Sequence, residues 1–255
     1  MSSKRGSPSS ATKSSSKRAR TYPVINDYNR DYQDSEADVT LISSDGLEFK
    51  VHSYILMANS IVFRDMLIIG DSSDRTINLT DEIMERSSTV SLFLQTCQGQ
   101  TPKFSTEKEV YCLYKNLIAF SKKYDAPPII QLISASMYRW FYEKDPSPYY
   151  MFRIGIMLDT PEIVAFAIRN GRNRAWSSTI ATEELVKATN PVATLGHVVG
   201  DPFISLSSWS LERLKEVPEA YVFAMLRATR HGGTDPEKVA DGFFQIMKEM
   251  GEYTV

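Results

Sequence analysis

The chain has 255 residues, of which 42% are hydrophobic and 24% charged, a composition typical of a globular protein with one large or two small domains. Its formal net charge of -2 conceals an asymmetry. The first 20 residues hold six of the 29 lysines and arginines and no acidic residue, so the remainder carries 23 basic against 31 acidic residues. An acidic folded part argues against direct binding of nucleic acid.

Neither a membrane segment nor a disulfide framework is predicted. No apolar run approaches the roughly 20 residues that a membrane-spanning helix needs, and the basic, serine-rich start lacks the apolar centre of a secretory signal peptide. The only two cysteines, Cys97 and Cys112, indicate a reducing compartment. These features predict a nuclear or cytoplasmic protein.

Residues 1–35 are predicted to be a disordered, basic, serine-rich tail followed by a linker that partly docks on the next domain. The basic residues of the tail fall into two clusters, a spacing typical of a bipartite nuclear import signal. The clusters consist of Lys4, Arg5, Lys17, Arg18 and Arg20. The alternative is a solvated basic tail without an import function.

The segment Asp38–Leu67 carries the strongest structural pattern. Apolar residues alternate with polar ones on both sides of a turn signal at 44–46, which predicts a two-stranded hairpin with one apolar face. The alternating residues are Val39, Leu41, Leu47, Phe49 and Val51. Ser53 and Ser60 each precede a short apolar helical pattern and are predicted to cap the two helices.

This segment resembles the opening of a BTB/POZ domain, whose pattern is Asp-Val, a hairpin ending in Phe-x-x-His, a helix, and then Ser-x-x-Phe-x-x-Met. The matching residues are Asp38, Val39, Phe49, His52, Ser60, Phe63 and Met66. The resemblance implies an α+β fold, a small sheet flanked by helical hairpins, over residues 36–142. It also implies a protein–protein interaction module that is not an enzyme.

The patterns after the hairpin are a strand at 75–79 and then helices at 88–97, 108–124 and from Pro127 onward. Residues 145–148 read Asp-Pro-Ser-Pro and are predicted to be an extended boundary. Residues 146–255 are predicted to form an all-α domain, with helix starts at 160–162, 182–184, 210, 218 and 235–237. No repeat pattern is visible in this region.

The sequence predicts no catalytic residue, metal site or cofactor site. Only three histidines occur, His52, His197 and His231, and neither cysteine lies near them. Nucleophile-elbow and phosphate-binding glycine motifs are missing. We interpret His52 as a structural imidazole bonded to the backbone or to an acid such as Asp38, and Asp38 as a structural acceptor.

The resemblance implies that function depends on protein partners. In BTB/POZ domains the first strand and first long helix pack against their twofold mates, so we expect a homodimer. The corresponding residues here are Val39, Leu41, Tyr54, Met57, Ala58 and Ile61. The first hypothesis is therefore a scaffold that homodimerises and recruits protein partners.

The alternative is a substrate adaptor of a cullin-based ubiquitin ligase. Family members with this role often carry a hydrophobic-x-Glu triplet before a helix ending that contains tyrosine. Here the triplet is Thr89-Val90-Ser91, and Cys97 stands at the place of the tyrosine. Neither the glutamate nor the tyrosine is present, which speaks against this role.

Overall fold

The computed structural model of the chain describes residues 28–70, 75–100, 107–144, 147–171, 206, 209, 211–233 and 235–252. The tail over 1–20 with its proposed import signal, His197 and the helix start expected at 182–184 lie outside these described residues.

A small sheet of three strands occupies the N-terminal half. The strands are β1 (Val39–Ile42), β2 (Glu48–Val51) and β3 (Thr76–Asn78). β1 lies in the middle, antiparallel to β2 and parallel to β3. Gly46 closes the β1–β2 turn with a φ of 83°, a left-handed conformation that glycine adopts without strain. The hairpin predicted from the alternating pattern is confirmed.

Helices surround this sheet in the order expected from the sequence. They are α1 (Ser53–Asn59), α2 (Ile61–Ile69), α3 (Ser87–Cys97), α4 (Glu107–Lys123) and α5 (Pro127–Lys144). α3 is the central helix, since it contacts α1, α4 and α5 and most of its side chains are buried. The α+β fold with helical hairpins beside a small sheet is confirmed.

Four aromatic rings fill the centre of this half. The Phe63 ring stacks on Tyr124 with centroids 4.2 Å apart, and Phe93 meets Phe120 at 4.9 Å. Each such buried pair adds about 1 kcal/mol beyond the burial of its area. The cluster joins α2, α3 and α4 into one core.

The residues that precede β1 pack on the sheet. Tyr32 is buried, its ring lies 5.7 Å from that of Phe49, and its carbonyl accepts the Lys50 N–H at 2.9 Å. Gln33 forms a parallel bridge with Lys50. Residues 28–35, assigned by sequence to the linker, therefore lie against the edge strand β2.

The C-terminal half is helical in its described parts. Its helices are α6 (Pro148–Leu158), α7 (Pro161–Asn170), α8 (Leu211–Lys215), α9 (Glu219–Gly232) and α10 (Pro236–Glu252). α6 packs on α4, α5 and α7, then α7 packs on α10 and α10 on α9. The helix starts expected at 160–162, 218 and 235–237 are confirmed.

Of the expected extended boundary at 145–148, the structure describes the last two residues, and Ser147 precedes a helix while Pro148 belongs to it. Pro148 is the first residue of α6, a position where its missing N–H costs no helical hydrogen bond. The Tyr150 ring of α6 lies 5.1 Å from Tyr111 of α4. The buried residues of both halves accordingly belong to one continuous core.

Candidate interaction surface

The start of α1 is held by Asp38, the residue directly before β1. Asp38 Oδ1 accepts the Ser53 N–H at 2.7 Å, and Oδ2 accepts from Arg75 Nη1 at 2.6 Å. Partial burial acts to raise the pKa of Asp38, but these donors outweigh it and lower the pKa. The expectation that Ser53 caps the helix is wrong: Ser53 is the first helical residue, and its N–H is capped from a distance by Asp38.

His52 lies beside this cap and contacts a different acid from the one expected. Its Nε2 is 3.1 Å from Asp34 Oδ2, and its ring stacks on Tyr54 at 5.5 Å. Asp38 is already engaged by Ser53 and Arg75, so it is Asp34 from the docked linker that reaches the imidazole.

The start of α2 is fixed by the connection between α4 and α5. Ser60 is the N-cap, and its Oγ accepts the Phe63 N–H at 3.0 Å while donating to the Tyr124 carbonyl. The Ile61 N–H donates to the Asp125 carbonyl at 2.9 Å, with Asp125 in the left-handed region at φ 45°. These bonds hold the α1–α2 pair against the aromatic core.

Part of the outer side of this helix pair is apolar. Tyr54 is 66% exposed and Ile61 39% exposed, Ala58 is exposed, and Met57 is half-buried. Tyr54, Met57 and Ala58 share a face of α1 because they are three and four residues apart. Ile61 continues that apolar surface at the start of α2. We call these four residues the hairpin surface, after the helical hairpin formed by α1 and α2.

Two of the residues expected in a dimer interface do not belong to this surface. Val39 is 2% exposed and Leu41 is fully buried, and β1 is flanked by β2 and β3 on its two edges. Their alternating pattern reflects the side of the strand that faces the core. The inclusion of Val39 and Leu41 as interface residues is therefore wrong for the structure of this chain.

The remaining residues of the quoted motif are divided between core and surface. Phe49 and Phe63 are fully buried, whereas Met66 is 45% exposed. The end of α2 continues outward with Ile68 and Ile69. The spacing of the apolar residues in the sequence does not distinguish the buried ones from the exposed ones, since α2 is apolar on most of its faces.

Glu85 is a structurally central acid that sequence reasoning missed. Its buried carboxylate accepts from the Thr80 and Asp81 N–H groups at 2.6 and 2.7 Å, from the Tyr124 hydroxyl at 2.6 Å and from Lys123 Nζ at 2.5 Å. Burial acts to raise the pKa of Glu85, yet these donors lower it overall. Burial, followed by the contact with Glu85, raises the pKa of Tyr124. A lone glutamate in a loop carries no sequence signal for this role.

Asp45 caps a second helix across the fold. Its two oxygens accept the Ser87 N–H at 2.8 Å and the Ser87 hydroxyl at 2.7 Å at the start of α3. Burial acts against the charged form, but the bonds from Ser87 and Ser43 prevail and lower the pKa of Asp45. Asp45, in the turn between β1 and β2, thus connects the β-hairpin to the central helix α3.

The stretch compared with cullin-binding members faces the interior. Thr89 and Ser91 are each 1% exposed, so neither side chain is displayed to a partner. Cys97 is half-buried, and burial raises the pKa of its thiol to about 12. The thiol is therefore protonated at neutral pH.

Within the described parts of the chain, no group of three or more His, Cys, Asp or Glu side chains is placed to hold a metal ion. No helix there is long and apolar enough to cross a bilayer.

Residues 28–137 match the family model of the BTB/POZ domain. No curated protein matches the chain. The fold and this match define a BTB/POZ domain, which is a protein–protein interaction module. The chain contains this BTB/POZ domain over residues 28–137 and a helical C-terminal region after it.

Proposed function

We propose that this chain is a scaffold that homodimerises through the hairpin surface and recruits other proteins. The observation that carries the proposal is the exposed apolar set of Tyr54, Ala58 and Ile61 on a BTB/POZ domain. A twofold contact presents the same patch from both copies, so an apolar patch of this kind is complementary to itself. Exposed tyrosine is also a favoured anchor of protein interfaces.

The use of the acidic groups supports an interaction role over a catalytic one. Asp38, Asp45 and Glu85 direct their oxygens at backbone N–H groups, at the starts of α1 and α3 and in the loop before α3. These hydrogen bonds lower the pKa values of the three carboxyl groups, as expected for structural caps. A general acid at neutral pH would instead need a raised pKa. These carboxylates serve the fold that displays the hairpin surface.

The test of homodimerisation is light scattering on the full chain in dilute solution. We expect a dimer for the wild type and a monomer for Tyr54→Glu and for Ile61→Glu, because a dimer would bury the introduced charge. Glutamate near a helix start suits the helix dipole, so neither change should unfold α1 or α2. Ile83→Glu is the matched control, since Ile83 is 72% exposed outside this surface, and it should stay dimeric. A wild-type monomer at tens of micromolar would contradict the proposal.

Nuclear residence is the second part of the proposal and depends on the two basic clusters of the tail. We expect a fluorescent fusion of the full chain to be nuclear and to become cytoplasmic when Lys4, Arg5, Lys17, Arg18 and Arg20 are changed to alanine. Lys13→Ala, between the clusters, is the control and should leave the fusion nuclear. Equal distribution of the wild type and the five-residue variant would contradict an import role.

The cullin-adaptor alternative is tested by pull-down of a cullin with the full chain. The burial of Thr89 and Ser91 favours a negative result. Specific retention of the cullin, lost on mutation of exposed BTB/POZ residues, would make the alternative the better account.

A further inference from the structure

Helix α9 has two faces of opposite kinds. Its inner face packs on α10 through Tyr221, Ala224, Met225 and Ala228, all buried. The Tyr221 ring lies 6.0 Å from that of Phe243 in α10.

The outer face of α9 carries a second apolar stripe. Glu219, Phe223, Leu226 and Arg230 follow each other at spacings of four, three and four residues and are all exposed. Phe223 is 46% exposed and Leu226 56% exposed. This spacing is that of the contact seam in paired helices, and it lies opposite the face that packs on α10. We call these four residues the α9 seam.

Charge is distributed unevenly along the α9 seam. The acid stands at the first residue of the helix and Arg230 in its last turn, with Phe223 and Leu226 between them. Neither Glu219 nor Arg230 has an ion-pair partner among the described residues. Arg227 lies over the Phe223 ring at 5.2 Å and borders the apolar centre on one side.

We propose that the α9 seam binds the α9 seam of a second copy in antiparallel orientation. With the twofold axis midway between Ala224 and Met225, Phe223 of each copy meets Leu226 of the other. Glu219 of each copy then meets Arg230 of the other at both ends, because the two residues are equally distant from the axis. A parallel arrangement would place like charges together, so the charges select the antiparallel one.

The α9 seam is separate from the hairpin surface and does not depend on it. Two different twofold contacts on one chain join dimers into larger assemblies. A contact between two single helices is smaller than a standard protein interface, so we expect it to be weak. The α9 seam should therefore add larger species only as the protein concentration rises.

Sedimentation equilibrium over a concentration series tests the contact in a background where the hairpin surface is blocked by Tyr54→Glu and Ile61→Glu. We expect this variant to pass from monomer to dimer at high micromolar concentration, and Phe223→Ser with Leu226→Ser to abolish that dimer. A blocked variant that stays monomeric throughout would overturn the proposal. Dimerisation of the unblocked chain in dilute solution is a separate readout, so failure of one contact is distinguishable from failure of the other.

Charge reversal provides the decisive comparison. Glu219→Arg or Arg230→Glu alone should weaken the dimer on the order of tenfold, since each creates like-charge contacts at both ends. The double variant should restore the dimer, although both of its charges then oppose the helix dipole, so recovery cannot come from helix stability. Glu82→Arg is the control and should have no effect. A double variant as weak as the single ones would overturn the proposal.

Discussion

Glu85 Oε1 accepts a hydrogen bond from the Tyr124 hydroxyl inside the protein, with 2.6 Å between the two oxygens and 39 residues of sequence between the partners. The same connection that bears Tyr124 supplies carbonyl acceptors to the start of α2. The loop before α3 is thereby tied to the residues that position the hairpin surface.

Replacing Glu85 should therefore destabilise the whole fold. Glu85→Ala leaves the Thr80 and Asp81 N–H groups and the Tyr124 hydroxyl without their acceptor, and we expect a loss of about 3 kcal/mol in the free energy of unfolding. Urea denaturation of the full chain measures it. Tyr124→Phe, which removes one of these bonds, is the control with an expected loss of about 1 kcal/mol. A loss for Glu85→Ala no larger than that of the control would contradict this role.

The lowered pKa of Glu85 predicts a specific response to acid. Its pKa in the folded state lies below the ordinary value of 4.5, so as the pH falls the unfolded chain takes up a proton first. The stabilisation is present above 4.5 and is lost as the pH falls toward the folded-state pKa. Unfolding free energies measured from neutral to acidic pH should fall less steeply for Glu85→Gln than for the wild type. Equal slopes would show that Glu85 has the same pKa in both states.

Asp38 should stabilise the start of α1 through its two hydrogen bonds. Asp38→Ala removes the acceptor of the Ser53 N–H and the partner of Arg75, and we expect a loss of about 1 kcal/mol, typical of a helix cap. Asp34→Ala removes the exposed contact with His52 and the local bond from the Glu36 N–H, and it should cost less. Thermal unfolding of both variants compares them, and a larger effect at Asp34 would contradict the assignment of the cap.

Close packing of α6 on α7 depends on Gly155. A Cβ at this position would lie 2.7 Å from Val164 Cγ2 and 3.0 Å from the Val164 nitrogen, closer than van der Waals contact permits. We expect Gly155→Ala to lose about 2 kcal/mol of stability. Gly251→Ala in α10 meets no atom within 4 Å and should be neutral or slightly stabilising, because alanine favours the helix. Similar effects at the two glycines would exclude steric packing as the cause.

The elements with a clear period could be predicted from the sequence. The alternation around Gly46 gives the β1–β2 hairpin, and Ser60 marks the start of α2. Helix α6 was missed because it is apolar on nearly every face, so no amphipathic period marks it. The same helix is buried between neighbours from both halves, and only the folded chain reveals that environment.

Side-chain roles were harder to predict than elements. Val39 and Leu41 lie at positions that the family pattern assigns to a contact strand, yet their burial follows from the packing of this sheet. Asp34 and Asp38 both lie near His52, and the choice between them depends on Arg75, a residue far along the chain. Glu85 combines donors from its own loop with the hydroxyl of Tyr124, which lies far along the chain, and no local spacing encodes that pairing.

The contact of Tyr150 with Tyr111 bears on how the molecule unfolds. Helix α6 packs on α4 and α5 and completes their core, so the packing of the C-terminal helices contributes to the stability of the BTB/POZ domain. We therefore expect the two parts to unfold in a single cooperative transition. A chain cut after α5 would expose to solvent the apolar side chains that α6 covers, and this surface should promote aggregation. Binding events on the C-terminal helices can therefore change the stability of the interaction module itself.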